Sequence, residues 1–291
     1  YEKPIIYILP QPFDMSNIKT SLGGASLLDY DGDGLNDLIF PYINYAVGVY
    51  SCAMYIIYGK EVAKGRGGHV PGIEFGTVVT DKMPLFAAFD ADKDGKDDIF
   101  YLEPKQKDNS YPAALFQSGD NSVAECTLFN IKLPYEPKKI FSGDYNNDGL
   151  TDIIIFHEGG YKIYFNNGGP ADNSIFTESN IRVNTSFGDK LRMAQGDIDG
   201  DGLVDFIYYE AGRTWLNVAR NKGDGTFAIA LSDDIGVSDS SDKEDDNRFS
   251  ISVYDIDGDG RSDVHVCKYE KKETHSIRLY SDGTTLKFGN R

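Results

Sequence analysis

The sequence is poor in the residues and runs that mark several large classes of protein. It has 3 Cys, 4 His and 1 Trp in 291 residues, and no apolar run approaches the roughly 20 residues of a membrane span. No HExxH, GxSxG or P-loop motif occurs, and no GxGxxG follows a predicted strand. We therefore predict no membrane insertion, and no enzyme, because no catalytic motif is found.

Basic residues are scarce as well. The 29 Lys and Arg stand against 46 Asp and Glu, which gives a formal charge of −17 at pH 7 and a pI near 4.6. Nucleic acids and anionic membrane surfaces require basic patches, so we predict no nucleic-acid partner. The acidity leaves two interpretations, either a solvated acidic surface or carboxylates that are held together by cations.

The three cysteines do not define a site. Cys52, Cys126 and Cys267 lie far apart and lack a metal-site spacing such as CxxC. At most one disulfide can form, and burial as small hydrophobic residues is the favoured interpretation. No basic-then-apolar signal segment is present at the start. Because the chain begins at Tyr1, we expect a mature form or an excised piece of a larger polypeptide.

One motif recurs five times and organises the sequence. It has the form D-x-[DN]-x-D-G-x-x-D, and successive copies start 61, 54, 53 and 58 residues apart. We call the copies Asp loops one to five and number their residues as positions 1 to 9. They span residues 29–37, 90–98, 144–152, 197–205 and 255–263. This spacing predicts a repeat architecture with one supersecondary unit per copy.

Short apolar stretches flank every Asp loop. A run rich in β-branched or aromatic residues follows each loop, as in Ile153-Ile154-Ile155-Phe156, which predicts a strand on either side of the loop. A third strand is predicted in each unit, for example within 161–169, and a final strand within 225–231. Four strands in a repeated unit of about 55–60 residues are typical of a propeller blade.

These features resemble the FG-GAP and VCBS repeats, in which an Asp loop lies between two strands and a hairpin N-x-G-D-G-T-F follows. The similarity runs from about residue 23 to residue 288 and is most complete in the fourth unit, DIDGDGLVDFIYY followed by WLNVARNKGDGTF. The first two units lack the N-x-G-D-G-T-F hairpin. The resemblance implies the propeller head found in integrin α subunits and in many bacterial surface and secreted proteins.

The Asp loops have the donor chemistry of a calcium site. Calcium prefers about six to eight hard oxygen ligands, which side chains at positions 1, 3, 5 and 9 and the carbonyl of position 7 supply, while Gly at position 6 allows the turn. We predict up to five Ca²⁺ ions. The predicted ligands are Asp29, Asp31, Asp33, Leu35 and Asp37; Asp90, Asp92, Asp94, Lys96 and Asp98; Asp144, Asn146, Asp148, Leu150 and Asp152; Asp197, Asp199, Asp201, Leu203 and Asp205; and Asp255, Asp257, Asp259, Arg261 and Asp263.

A helical calcium motif does not fit these loops. An EF-hand needs a Glu at position 12 and flanking helices, whereas position 12 of these loops is Phe40, Tyr101, Ile155, Tyr208 or Val266 in strand context. Magnesium fits less well because it retains its waters. Loop three carries Asn146 at position 3 and is predicted to bind calcium most weakly. Five Ca²⁺ carry ten charges, which would take the formal −17 to −7.

Other candidates for chemistry are weaker. Residues 60–72 and 232–247 break the period, and we interpret them as solvated insertions, with a binding surface on one propeller face as the alternative. His265 lies in a predicted strand and is interpreted as a strand residue, not a ligand or base. Trp215 and the tyrosines at 208–209 are candidates for stacking on a sugar, but packing in the blade core is favoured.

We predict one all-β domain over residues 1–291, a β-propeller of four-stranded blades. Five blades are favoured, with six or seven as alternatives. The segment 4–9 is predicted to complete the last blade and to close the ring.

The resemblance implies a non-enzymatic calcium-binding propeller that adheres to or recognises a protein or carbohydrate ligand. An extracellular or cell-surface place is expected, because millimolar calcium outside cells fills weak sites. The alternatives are a propeller scaffold within a larger secreted polypeptide of the Rhs or toxin-complex kind, and a carbohydrate-active enzyme such as a polysaccharide lyase.

Overall fold

The computed structural model describes 21 strands, β1 to β21, in five antiparallel sheets. The residues it describes are 21–22, 26–46, 49–60, 72–78, 84–105, 110–118, 126–169, 174–181, 187, 191–210, 213–236, 249–270 and 273–288. Among them there is no helix with the length and apolarity that a membrane crossing requires. The sheets are the blades of a β-propeller, which confirms the predicted fold class, and we number them blades one to five.

The chain divides into two compact units. The first contains residues 1–134 together with 167–175, and therefore blades one and two. The second contains residues 135–166 together with 176–291, and therefore blades three to five. Whether the whole chain is one domain stays a prediction.

Blade one is built from five strands, of which the first two share one edge of the sheet. They are β1 (Ser21–Leu22), β2 (Ser26–Leu28), β3 (Asp37–Ala46), β4 (Val49–Ile57) and β5 (Gly72–Val78). The short β1 and β2 pair in succession with the same edge of β3, so they are two pieces of one interrupted strand.

Blade two follows the plain four-stranded order. It consists of β6 (Leu85–Phe89), β7 (Asp98–Leu102), β8 (Ser110–Phe116) and β9 (Cys126–Lys132). Its strand β7 packs on blade one in a shared core that contains Ile39, Ile99 and Tyr101.

Blades three and four repeat this order in the second unit. Blade three consists of β10 (Pro137–Gly143), β11 (Asp152–His157), β12 (Gly160–Asn166) and β13 (Phe176–Glu178). Blade four consists of β14 (Arg192–Gly196), β15 (Asp205–Tyr209), β16 (Leu216–Asn221) and β17 (Phe227–Leu231). Every residue of β11 and β15 is buried, because these strands are covered on both faces, as their unbroken apolar sequences indicate.

Blade five consists of β18 (Phe249–Tyr254), β19 (Asp263–Glu270), β20 (Glu273–Ser281) and β21 (Leu286–Phe288). Its fourth strand therefore comes from residues that follow its own third strand. The prediction that residues 4–9 complete this blade falls outside the described residues, as do 61–71 and 237–248 of the two predicted insertions.

Contacts between neighbouring blades follow a fixed register. The residues two and four places after position 9 face the next blade, as Ile154 and Phe156 do against blade four and Ile207 and Tyr209 do against blade five. On β19 the equivalent residues are His265 and Cys267, both partly exposed. That strand alternates buried and partly exposed residues from 264 to 268 because only its other face lies in the core of the second unit.

Candidate metal sites in the aspartate loops

Each Asp loop joins the first strand of a blade to its second strand, or in blade one β2 to β3. Position 6 is Gly in all five loops, and its φ angle lies between 78° and 87°. Residues with a Cβ rarely adopt this left-handed conformation, so the turn requires glycine at this point.

Position 1 fastens the loop to itself. One carboxylate oxygen accepts the backbone N–H of position 5 at 3.1–3.2 Å, and the other accepts the N–H of position 6 at 2.8–3.0 Å. The carboxylate of position 5 accepts the N–H of position 7 at 2.8–3.0 Å. The predicted carbonyl role of position 7, held by Leu35, Lys96, Leu150, Leu203 and Arg261, stays a prediction.

Position 9 performs a task that the sequence reasoning missed. Its carboxylate is buried in every loop, with at most 1% of the residue exposed. Oδ2 accepts the N–H of position 2 at 2.9–3.0 Å. Oδ1 accepts an N–H at the end of the third strand at 2.7–2.8 Å. The third-strand donors are Gly59, Ser118, Asn166, Asn221 and Ser281. Position 9 therefore clamps each loop to its own blade, and its role as a ligand stays a prediction.

Burial makes several of the position 9 carboxyl groups weaker acids than an exposed aspartate. Because they are removed from water and lie near the other loop carboxylates, the pKa of Asp98 and of Asp205 rises to about 6 and that of Asp152 to about 7. The pKa of Asp37 is also raised by burial. A bound cation would relieve this repulsion.

In four loops three carboxylates converge to within 4.8 Å of one another. In loops one, two and five they come from positions 1, 3 and 5, whereas in loop four they come from positions 1, 3 and 9. Loop three has Asn146 instead of a third such carboxylate, and the Asn146 amide donates to Asp148 Oδ2 at 2.8 Å.

Position 3 of loops one and four shows that these two loops fit a cation. Asp31 Oδ1 and Asp199 Oδ1 are buried and have no hydrogen-bond partner. The other oxygen of Asp31 contacts Lys60 Nζ, and that of Asp199 lies 3.7 Å from Arg220 Nη1. A buried carboxylate oxygen without a donor is unfavourable in the absence of a ligand. Hard carboxylate oxygens in this number match calcium chemistry.

Neighbouring loops also contact each other within each unit. The N–H of Asp97 donates to the carbonyl of Asp29 at 2.9 Å, and the N–H of Asp29 donates to Asp97 Oδ2 at 2.8 Å. In the second unit, the N–H of Ser262 donates to the carbonyl of Asp197. Backbone hydrogen bonds therefore join loop one to loop two and loop four to loop five.

The remaining candidates lie elsewhere. Tyr208 and Tyr209 are buried in blade cores, while the Arg213 guanidinium lies over the ring of Trp215 at 5.2 Å. His265 Nε2 lies 2.7 Å from Ser276 Oγ on the strand surface. Cys267 is a free thiol; the side chains of Cys52 and Cys126 are outside the description.

The profile of the FG-GAP-like repeat matches residues 90–155, 144–208 and 197–266, which together cover more than half of the sequence. The chain belongs to the FG-GAP-like repeat family. The resemblance noted from the sequence is thereby confirmed, and the matched segments of this FG-GAP-like chain begin at Asp loops two, three and four. No curated protein sequence matches the chain significantly.

Several solved structures are similar in fold to this FG-GAP-like chain. An Agrocybe aegerita lectin that recognises non-reducing terminal N-acetylglucosamine is 18% identical with a TM-score of 0.49, over 94% of this chain and 79% of that chain. The rhamnogalacturonan lyase YesW is 14% identical with a TM-score of 0.51, over 92% of this chain and 50% of that chain. The exotype rhamnogalacturonan lyase YesX is 14% identical with a TM-score of 0.45, over 92% of this chain and 57% of that chain. The chain thus spans about half the length of these two lyases.

Proposed function

We propose that this chain is a non-enzymatic calcium-binding propeller that recognises a protein or glycan outside the cell. The observation that carries the calcium proposal is the buried, unpartnered carboxylate oxygen that recurs at position 3 of loops one and four. Membership of the FG-GAP-like repeat family supports the recognition role.

The side chains at positions 1, 3, 5 and 9 would hold the ion, with the carbonyl of position 7. Bound calcium supplies a divalent positive charge that offsets the repulsion among these carboxylates. The protein's own residues contribute a preformed loop, because the N–H groups of positions 5, 6 and 7 already fix the carboxylates of positions 1 and 5. The millimolar calcium found outside cells would fill even weak sites of this kind.

Isothermal titration calorimetry of the chelator-treated protein tests the calcium proposal. We expect saturable binding of up to five Ca²⁺, weakest at loop three, and a rise in melting temperature that grows with calcium concentration. Asp199→Asn gives loop four the Asn that loop three has at position 3 and should weaken one site, whereas Asp234→Asn, the same change at an exposed residue outside the loops, should leave every affinity unchanged. Absence of saturable binding at millimolar calcium would overturn the proposal.

The recognition role is tested on a glycan array and against polysaccharides, each with calcium and with chelator. We expect calcium-dependent binding of a glycan or protein without turnover. Cleavage of a polysaccharide, rhamnogalacturonan included, would replace the binding role with that of a lyase.

A further inference from the structure

The third strand of a blade brings one side chain to the position 3 carboxylate of its own Asp loop. In blade two the Gln117 amide donates to Asp92 Oδ2 at 3.2 Å. In blade four the Arg220 guanidinium pairs with Asp199 Oδ2 at 3.7 Å, and in blade one Lys60 pairs with Asp31 Oδ2. In all three blades the contact is made to the same carboxylate oxygen.

These side chains adjoin the backbone clamp described above. Gln117 and Arg220 immediately precede Ser118 and Asn221, whose N–H groups bind position 9, and Lys60 immediately follows Gly59. The strand pairing that places the third-strand N–H at position 9 therefore also places the neighbouring side chain within reach of the position 3 carboxylate. In blades three and five the residues that precede the clamp donors are Phe165 and Tyr280.

We propose that Lys60, Gln117 and Arg220 are positioning residues, each of which holds the position 3 carboxylate by Oδ2 and turns Oδ1 toward the cation. This inference rests on the proposed calcium function. In loops one and four the oxygen turned away is the buried, unpartnered atom, and in loop two Asp92 Oδ1 accepts only the backbone N–H of Asp94, at 3.2 Å. A carboxylate that is fixed in advance loses less rotamer freedom when it binds an ion. Loops one, two and four should consequently bind calcium more tightly than loop three, which has Asn146 at position 3.

Charge acts in the opposite direction for two of the three residues. The ammonium of Lys60 and the guanidinium of Arg220 repel a calcium ion, although both side chains are partly exposed and solvent screens them. Gln117 has no charge, so its removal isolates the positioning effect. Its contact with Asp92 also shows that a glutamine at this register reaches the carboxylate.

Calorimetric counting of tight and weak sites tests the inference. Loss of an outer partner of a ligand typically weakens metal binding about 10–100-fold, so Gln117→Leu and Arg220→Leu should each show one tight site fewer than the wild-type protein. Arg220→Gln should keep the wild-type number. The matched control Asn130→Leu, at an exposed residue of β9 in the same blade as Gln117, should also keep the wild-type number.

The wild-type number of tight sites in both Leu variants, or tighter binding in both Arg220 variants, would overturn the positioning role while calcium binding stands. Absence of binding in the wild-type protein would instead overturn the proposed function.

Discussion

At the scale of single residues, the ninth aspartate of each loop is a buried polar group that is held by both of its oxygens. Its two oxygens bind one N–H from the loop and one from the third strand, and water does not reach it. The sequence motif alone suggests a ligand, because spacing does not reveal which oxygen atoms the backbone already uses. The clamp depends on a third strand that follows 14 to 22 residues later along the chain.

Removal of one clamp should destabilise the protein even without metal. Asp205→Ala leaves the buried N–H groups of Ile198 and Asn221 without their acceptor, which should cost roughly 2–5 kcal/mol in the free energy of unfolding. Asp201→Ala, at an exposed position of the same loop, should cost less than about 1 kcal/mol in chelator. Urea unfolding in chelator measures both, and equal losses would contradict the clamp.

At the scale of strands and hairpins, the sequence predicts most of what is observed. The apolar run 153–156 is the core of β11, and LKF at 286–288 is β21, because β-branched and aromatic residues favour buried strands. The contacts of Gln117 and Arg220 escape the sequence, since strand pairing, not motif spacing, brings them to the loop.

The hairpin between β11 and β12 contains a buried histidine that makes it sensitive to pH. His157 stacks on Tyr135 with ring centroids 5.7 Å apart, and its Nδ1 accepts the N–H of Gly159 at 3.1 Å. Burial, together with nearby Lys162, lowers the pKa of His157 below its ordinary 6.5. The folded state therefore binds fewer protons than the unfolded state.

The sign of the pH effect follows from this difference. Stability is lost as pH falls through 6.5 and the loss levels off below the lowered folded pKa. His157→Phe keeps an aromatic ring and cannot titrate, so the wild type should lose more stability than this variant between pH 7.5 and pH 5. Denaturant unfolding of both proteins at each pH measures the difference. Parallel pH profiles would contradict a role for His157.

At the scale of the whole molecule, the net charge of −17 opposes folding more strongly without bound cations. In chelator, added salt should raise the melting temperature because it screens the repulsion among the carboxylates. With calcium saturating the loops, the same salt should have a smaller effect. Thermal unfolding in low and high choline chloride, with and without calcium, measures the two slopes. Equal slopes would show that the loop carboxylates do not dominate the repulsion.

The clamp has a consequence for how such a chain grows and diverges. Each blade holds its own loop with its own third strand, so duplication or loss of one unit in a gene leaves the clamps of the other loops intact. Compatibility between successive units then depends on the hydrogen bonds between neighbouring loops and on a few outward side chains, such as Ile207 and Tyr209 in blade four or His265 and Cys267 in blade five. Substitution of those few side chains is therefore enough to change whether a blade can pack against a further blade.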